Sequence, residues 1–514
     1  MSTSSSPTTH DSDGFVCECE GRMRSACEGE NFYKEHDGKR YCVLHYPGTE
    51  KKEDFKQALQ RKLDAKDFDF RGVWFPEDVS FSDFTFGADA NFSGAQFSAV
   101  AHFIKAKFSA NAFFSAAKFS ANAFFYAAEF SANAFFLGAQ FSAVADFIGA
   151  RFSVDTSFNK AKFSANAFFN VAEFSAVANF NSAQFSAVAN FNSAQFSKIA
   201  RFHFAVFNAP VKFQGTRFIE DSSHDNSAPS NKAIGTGDAA KSKAETIKVE
   251  FDGAIFKDGI SLEENVFAEQ VFMSFDTAIF EKPERATFHT TPLRPHWFIN
   301  VDSRKFTFIN VDWGNLDKRD AIRREIKALG ESGYAYLSHL LENTFRQLAV
   351  NAEENNRYEE AANFRYMAME VRRLQRGRKV DPFRLGWWYW LLSGYGERVT
   401  RAFGVLLTVW LLFAVIYWTG NATWWQPKQS TRLAAESSER ENRSSAVTGN
   451  RQPITIAPLT IPEAIIYSAG VMSLQKPEPL PANKRAKSLV LFETILGPLQ
   501  AALLALAIRR KFMR

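Results

Sequence analysis

Cysteine is scarce: the 514-residue chain has four, all within the first 42 positions. That excludes a disulfide framework spread through the fold and leaves one local cluster. Tyrosine (12) and tryptophan (10) are few beside 55 phenylalanines, so most aromatic rings here carry no polar tip and suit a stacked interior. Charge of one sign is not in excess; a formal net charge of +5 is too mild at this length to mark a nucleic-acid binder. Nucleotide loops, catalytic-triad motifs, H-x-E, H-E-x-x-H and paired-carboxylate signatures are all missing, and we expect no enzyme. The opening MSTSSSPTTHDSDG has no apolar segment of the kind a secretory signal needs, and residues 1–14 read as a disordered tail.

What the chain has instead is phenylalanine at fixed intervals. From Phe81 to Phe218 it recurs at spacings that alternate between 5 and 6, with a small residue two positions before almost every one, as at Ala90, Ala95, Ala101 and Ala106. Neither a helix of period 3.6 nor a strand of period 2 fits that alternation. A coil that turns a corner every five or six residues does, with Phe92, Phe97, Phe103, Phe108, Phe114, Phe119, Phe125 and Phe130 pointing inward as a repeat core. Four sides make a coil of about 22 residues, so the block holds about six coils and is roughly 30 Å long at the spacing of adjacent strands. Burial of each inward ring contributes about 2 kcal/mol. The extra residue in every second unit predicts a bulge or wider corner at each Ser-Ala pair, such as Ser109-Ala110.

The A-x-F-x-x units resemble the pentapeptide-repeat family. The resemblance implies a mainly β chain folded as a right-handed quadrilateral β-helix across residues 76–220, and the sixth residue in alternate units is its departure from that family. A capping helix is expected within 51–75, a disordered insertion at 221–248, and irregular final coils with a cap at 249–315. Residues 316–380 read as a helical connector whose second half resembles a tetratricopeptide hairpin. His102 and His203, inside the repeat, read as surface residues without matched partners.

Residues 381–514 read as a two-span α-helical membrane domain. Pro382–Arg401 mixes Trp, Tyr and Arg in the manner of a headgroup belt; Ala402–Trp418 and Leu489–Ile508 are the spans. Arg398 and Arg401 before the first span and Arg509, Arg510, Lys511 and Arg514 after the second place both termini in the cytoplasm. Between the spans, residues 461–474 are too short to cross and suit a re-entrant helix. Span, re-entrant helix, span resembles the potassium-channel pore module, although Ser473-Leu474-Gln475-Lys476-Pro477 stands where its filter would be. The whole order, with Glu493 and Gly497 forming E-x-x-x-G, resembles bacterial pentapeptide-repeat membrane proteins with a channel-like C-terminus. That resemblance implies the bacterial inner membrane, a lipid partner and a homo-oligomer, a tetramer by analogy. Glu493, Gly497, Ser468 and Ser473 are the pore candidates; Glu493 is expected to face a pore or a re-entrant backbone, the alternative being a carboxylate satisfied by the outer interface or by Lys484, Arg485 or Lys487.

Cys17, Cys19, Cys27, Cys42 and His45, within residues 15–50, form C-x-C-x7-C-x14-C-x2-H. Thiolates and an imidazole are zinc ligands, so the set is a candidate structural zinc site; the alternative is unligated thiols in a partly ordered tail. Function then divides between a channel-like oligomer with a β-helical sensor or scaffold and a non-conducting scaffold whose β-helix binds a protein partner. DNA mimicry directed at topoisomerase is disfavoured, because ten Lys/Arg outnumber six Asp/Glu between Phe81 and Phe218, and no nucleic-acid partner is expected.

Overall fold

The computed structural model describes residues 15–19, 26–27, 30–219, 246–268, 270–314, 320–375, 385–420, 422–426 and 458–512. The chain divides into two compact units, Met1–Asn351 and Ala352–Arg514. The tail expected at 1–14 lies outside the described residues, as does most of the insertion; its last two residues are not insertion but the start of a strand, Ile247–Glu250.

Rungs of two to four residues in the first unit stack into four parallel sheets of 8, 9, 10 and 8 strands, one per side of a β-solenoid. It runs over residues 74–309 in about 10 turns of about 22 residues, longer than the six coils read from the strict repeat. Phe97 pairs with Phe119 and Phe119 with Phe141, while on another side Ala90 pairs with Ala112 and Ala112 with Ala134. Each ring lies flat on the one a coil away: Phe119 and Phe141 are 4.8 Å apart at 0°. Neighbouring columns meet edge-on, as Phe114 and Phe125 do at 5.4 Å and 90°.

The two spacings make two kinds of corner. Across five residues the chain makes a tight turn: Ala95 N–H donates to Phe92 O at 3.0 Å, with Gly94 between them at φ 69°. The equivalent position at other tight corners, two to a coil, is Lys105, Ala116, Ala127, Lys160 or Val171, all with φ between 53° and 58°. Across six residues the corner is wider, as expected at Ser109-Ala110. There a side chain one coil earlier takes the turning amide: Asp89 Oδ1 accepts from Asn111 N at 3.0 Å and Asn122 Oδ1 from Val144 N at 3.2 Å.

Beyond residue 245 the ladder resumes on the same sides, Phe207 pairing with Phe256, Val211 with Ile260 and Phe218 with Phe267. The final coils are irregular in length, as the pairs Phe256–Phe280, Ile260–Ala286 and Phe288–Phe308 show, yet their rungs stay on the sides set by the earlier coils. His203 corrects another expectation: its Nε2 lies 3.1 Å from Glu250 Oε2, which also accepts from Arg201 Nε at 3.3 Å. His102 stacks on Phe124 at 5.4 Å.

The first coil is covered by α1 (Lys52–Asp64), whose Phe55 meets Phe75 edge-on at 5.4 Å. Near the other end are α2 (Ala321–Ser332) and α3 (Leu341–Glu354). Buried Asn351 of α3 donates to the carbonyls of Ser303, Arg304 and Phe306 at 3.2, 2.8 and 2.7 Å. The first helix of the expected hairpin thus closes the solenoid instead of standing apart as a connector.

Five helices make up most of the described second unit: α4 (Tyr358–Gln375), α5 (Leu385–Ser393), α6 (Val399–Trp418), α7 (Ile461–Met472) and α8 (Lys484–Phe512). Two of them, α6 and α8, are long and apolar enough to cross a membrane.

Candidate functional site

The N-terminal cluster is built on a hairpin. Strands β1 (Phe32–His36) and β2 (Lys39–Cys42) pair antiparallel across Asp37-Gly38, both at positive φ, 47° and 72°. An Asp-Gly pair supplies that geometry at little strain. The hairpin ends on Cys42, and a turn closed by His45 N–H to Cys42 O (3.2 Å) brings the imidazole back over the thiol. Ligand atoms of Cys17, Cys27, Cys42 and His45 all lie within 4.8 Å of one another, and all four residues are buried. Tetrahedral zinc with 2.3 Å sulfur bonds needs donor separations of about 3.8 Å, so a small contraction closes the shell. The donor set, soft and without an open position for substrate, fits a structural metal.

A backbone carbonyl selects the ligating nitrogen. His45 Nε2 lies 2.8 Å from Arg71 O, which fixes the proton there, while Nδ1 faces Cys42 Sγ at 3.3 Å. Cys42 N–H points at Cys17 Sγ at 3.4 Å. Cys17 is held far below the thiol range by hydrogen bonds from Cys19, Cys27 and Cys42, whereas Cys27, sharing its proton with Cys17, is driven far above it. Buried Lys51 donates to the carbonyls of Val43 and Leu44 at 2.6 and 2.9 Å, beside the ligands, and burial pushes its ammonium down to about 7. Cys19, expected among the ligands, stands outside the group of four. Its thiol turns to the Cys17 carbonyl, and the hydrogen bond with Cys17 pushes it up to about 12. The Asp-Gly hairpin, legible as H-D-G-K, was the signal that could have located Cys42 and His45 as one knuckle.

The second cluster lies where α6, α7 and α8 meet. Glu493 is fully buried: Tyr417 donates to Oε2 at 2.6 Å and Ser468 Oγ to Oε1. Ser468 also reaches the carbonyl of Trp410 at 3.1 Å, and Trp410 Nε1 donates to Ile465 O at 3.1 Å. Gly497 is the close-approach point: a Cβ there would come within 2.9 Å of Met472 Cγ and 3.1 Å of its Cα. Three of the four sequence candidates therefore converge, and the fourth, Ser473, is exposed and bonded to Ala469 O of its own helix. Tyr417 was not among the candidates; a hydroxyl at the end of an apolar span was the available hint. Glu493 is satisfied by Tyr417 of α6 and by Ser468 of the short helix α7, rather than by the outer interface or by Lys484, Arg485 or Lys487.

These contacts give α7 a direction and a depth. Ser468 meets Glu493 and Met472 meets Gly497, so α7 and α8 run parallel there. Gly497 is about 20 Å of helix from either Lys484 or Arg510, and α7 therefore stops level with the middle of α8. The returning segment folds back: Gln475 N donates to Gly470 O at 2.9 Å, and Pro477 would lie 3.2 Å from a Cβ at Gly470. It then climbs to pair with the loop after α6, through Gln426 N to Leu480 O and Ala482 N to Trp424 O, both 2.7 Å.

Family models, curated proteins and solved structures offer no match to this chain.

Proposed function

We propose that the chain is a membrane-anchored protein whose second unit assembles with copies of itself into a channel-like pore, while the solenoid serves as a cytoplasmic sensor or scaffold. The observation that carries this reading is α7, a 12-residue apolar helix that stops level with the middle of α8 between two helices of spanning length. A helix of about 18 Å with a turn at its inner end has no role in a simple anchor, whereas irregular backbone at membrane depth is tolerated where it lines water or protein. One pair of spans cannot enclose an aqueous path, so the reading requires several copies, four by analogy with two-span channels. The basic residues Arg398, Arg401, Arg509 and Arg510 support cytoplasmic termini and the bacterial inner membrane. Native mass measurement in detergent, followed by ion flux from proteoliposomes, tests it. Oligomers with flux support the pore, and monomers in tight bilayers overturn it.

The second reading, a non-conducting scaffold, is favoured by the outer surface of the solenoid. Lys107, Glu129, Arg151 and Glu173 form an alternating ladder with contacts of 3.5, 4.0 and 3.5 Å, and Tyr126 and Leu137 are exposed. Intact oligomers without flux, retaining a protein partner through these faces, support it over the pore.

For the N-terminal cluster we propose structural zinc held by Cys17, Cys27, Cys42 and His45 Nδ1. It would tie the hairpin to the first coil through the bond from His45 to Arg71 O. Metal analysis of the purified chain tests this: about one zinc per chain supports it, and a folded, metal-free protein overturns it.

A further inference from the structure

The segment that follows α7 is the least expected surface in the second unit. Ser473, Leu474, Gln475 and Lys476 are all exposed, and Leu474 has φ 61°. Along the middle of the long helices most exposed side chains are apolar, among them Phe403, Leu407 and Leu411 on α6 and Phe492, Ile495 and Leu499 on α8; the exposed charges of α8, Lys484, Arg485, Lys487 and Arg509, lie near its ends. Those faces suit lipid. The turn does not: its amides at Ser473, Leu474 and Gln475 are bonded back to α7, but hydrocarbon offers no partner for an exposed carboxamide or ammonium such as those of Gln475 and Lys476. Pro477 packs at Gly470, so Lys476 remains within about one helical turn of the end of α7, at the level of Gly497.

The charges around this turn are few and their places differ. Glu463 is engaged at the start of α7 with Thr460 N and Oγ1. Glu478 lies nearer the rung formed by Leu480 and Gln426, toward the outer end of the spans. Glu493, at similar depth, is buried and hydrogen-bonded to Tyr417 and Ser468, so it puts no charge on the exposed surface. Among the described residues, Lys476 is therefore the deepest exposed charge of the α6–α8 assembly.

We infer that Ser473–Lys476 lines a water-filled vestibule enclosed by copies of this chain, and that Lys476 makes it a binding and passage site for small inorganic anions such as chloride. The inference rests on the oligomeric pore proposed above and adds the class of permeant ion. A ring of ammonium groups at a constriction attracts anions and raises their local concentration, and it repels potassium by the same field. Each chain supplies one wall, so the site is incomplete without its copies.

Two measurements on the full-length protein in liposomes test this. The first is labelling of Gln475→Cys by a membrane-impermeant maleimide, with the modified peptide located by mass spectrometry to separate it from the N-terminal thiols. Labelling is expected, and an unlabelled residue overturns the vestibule. The second is the reversal potential in a KCl gradient. It is expected near the chloride equilibrium value, with Lys476→Glu lowering the chloride-to-potassium permeability ratio by roughly tenfold and Lys476→Gln by less. A potassium-weighted current, or a ratio unmoved by Lys476→Glu, overturns the anion assignment and leaves the pore standing. Oligomers that carry no current overturn both.

Discussion

The dipeptide Phe124-Phe125 gives the solenoid its sharpest test, because two identical side chains adjacent in sequence face opposite ways. Phe125 is fully buried, stacked on Phe103 and Phe147 at 4.7 Å each and edge-on to Phe114 and Phe136 at 5.4 and 5.5 Å. Phe124 is half-buried on the outer face against His102. Phe125→Ala removes a ring from the middle of a close-packed column and leaves a cavity that neighbouring backbone, fixed by rungs on all four sides, cannot collapse into. The expected cost is about 3–5 kcal/mol, against under about 1 kcal/mol for Phe124→Ala. In a solenoid each coil touches only its neighbours, so the loss is local. Amide hydrogen exchange of the intact protein should accelerate roughly 100- to 5,000-fold in the coils flanking residue 125 and hardly at all near Phe218. Equal effects from the two alanine variants would refute the 5/6 register, and an acceleration spread evenly over the chain would refute coil-by-coil stability.

Three further outcomes follow from other parts of the molecule. Cys27→Ser should abolish bound zinc while Cys19→Ser keeps about one ion per chain, read by metal analysis after gel filtration; loss in both would return Cys19 to the ligand set. The hydrogen bond to Glu250 raises the pKa of His203, so its stabilising contribution is fully present below about pH 6.5 and is lost as pH rises through the raised folded value. The thermal midpoint of His203→Gln should therefore fall furthest below wild type near pH 6 and converge with it at alkaline pH. Gly138, at φ 65° with open space where a Cβ would stand, isolates backbone strain. Gly138→Val should cost about 1–2 kcal/mol and Gly138→Asn much less, measured as thermal midpoints.

Most of the solenoid was legible because its period is written in one residue type. A phenylalanine every five or six positions specifies four sides, and the paired Phe columns follow with no long-range information beyond the repeat. Two features were not legible for the same reason. The left-handed corner residue is Gly94 in one coil but Ala116 or Val171 in others, so composition does not mark it. The register of the coils past residue 245 was obscured because Ile, Val and Met share the inward positions with Phe, as in Val249, Ile260 and Met273. The hydrogen-bond ladder held register there, and ladder register has no sequence signature of its own.

The two clusters differ in what the sequence could say of them. Spacing alone left Cys17 and Cys19 equivalent, since both lie within reach of a knuckle built at Cys42 and His45; only the packed geometry turns one thiol inward and the other onto a carbonyl. In the second unit, a carboxylate within a long apolar helix invited a role facing either water or the short helix, and packing selects the short helix. Tyr417 and Ser468 come from different helices and meet on Glu493, so one carboxylate joins α6, α7 and α8. A charge that had drawn notice for its cost is then an internal tie, while Lys476, unremarkable in a polar stretch, becomes conspicuous once α7 is known to stop at the level of Gly497. Depth is the quantity that separates the two residues. It arises from the parallel run of α7 against α8, a tertiary relation that no local pattern encodes.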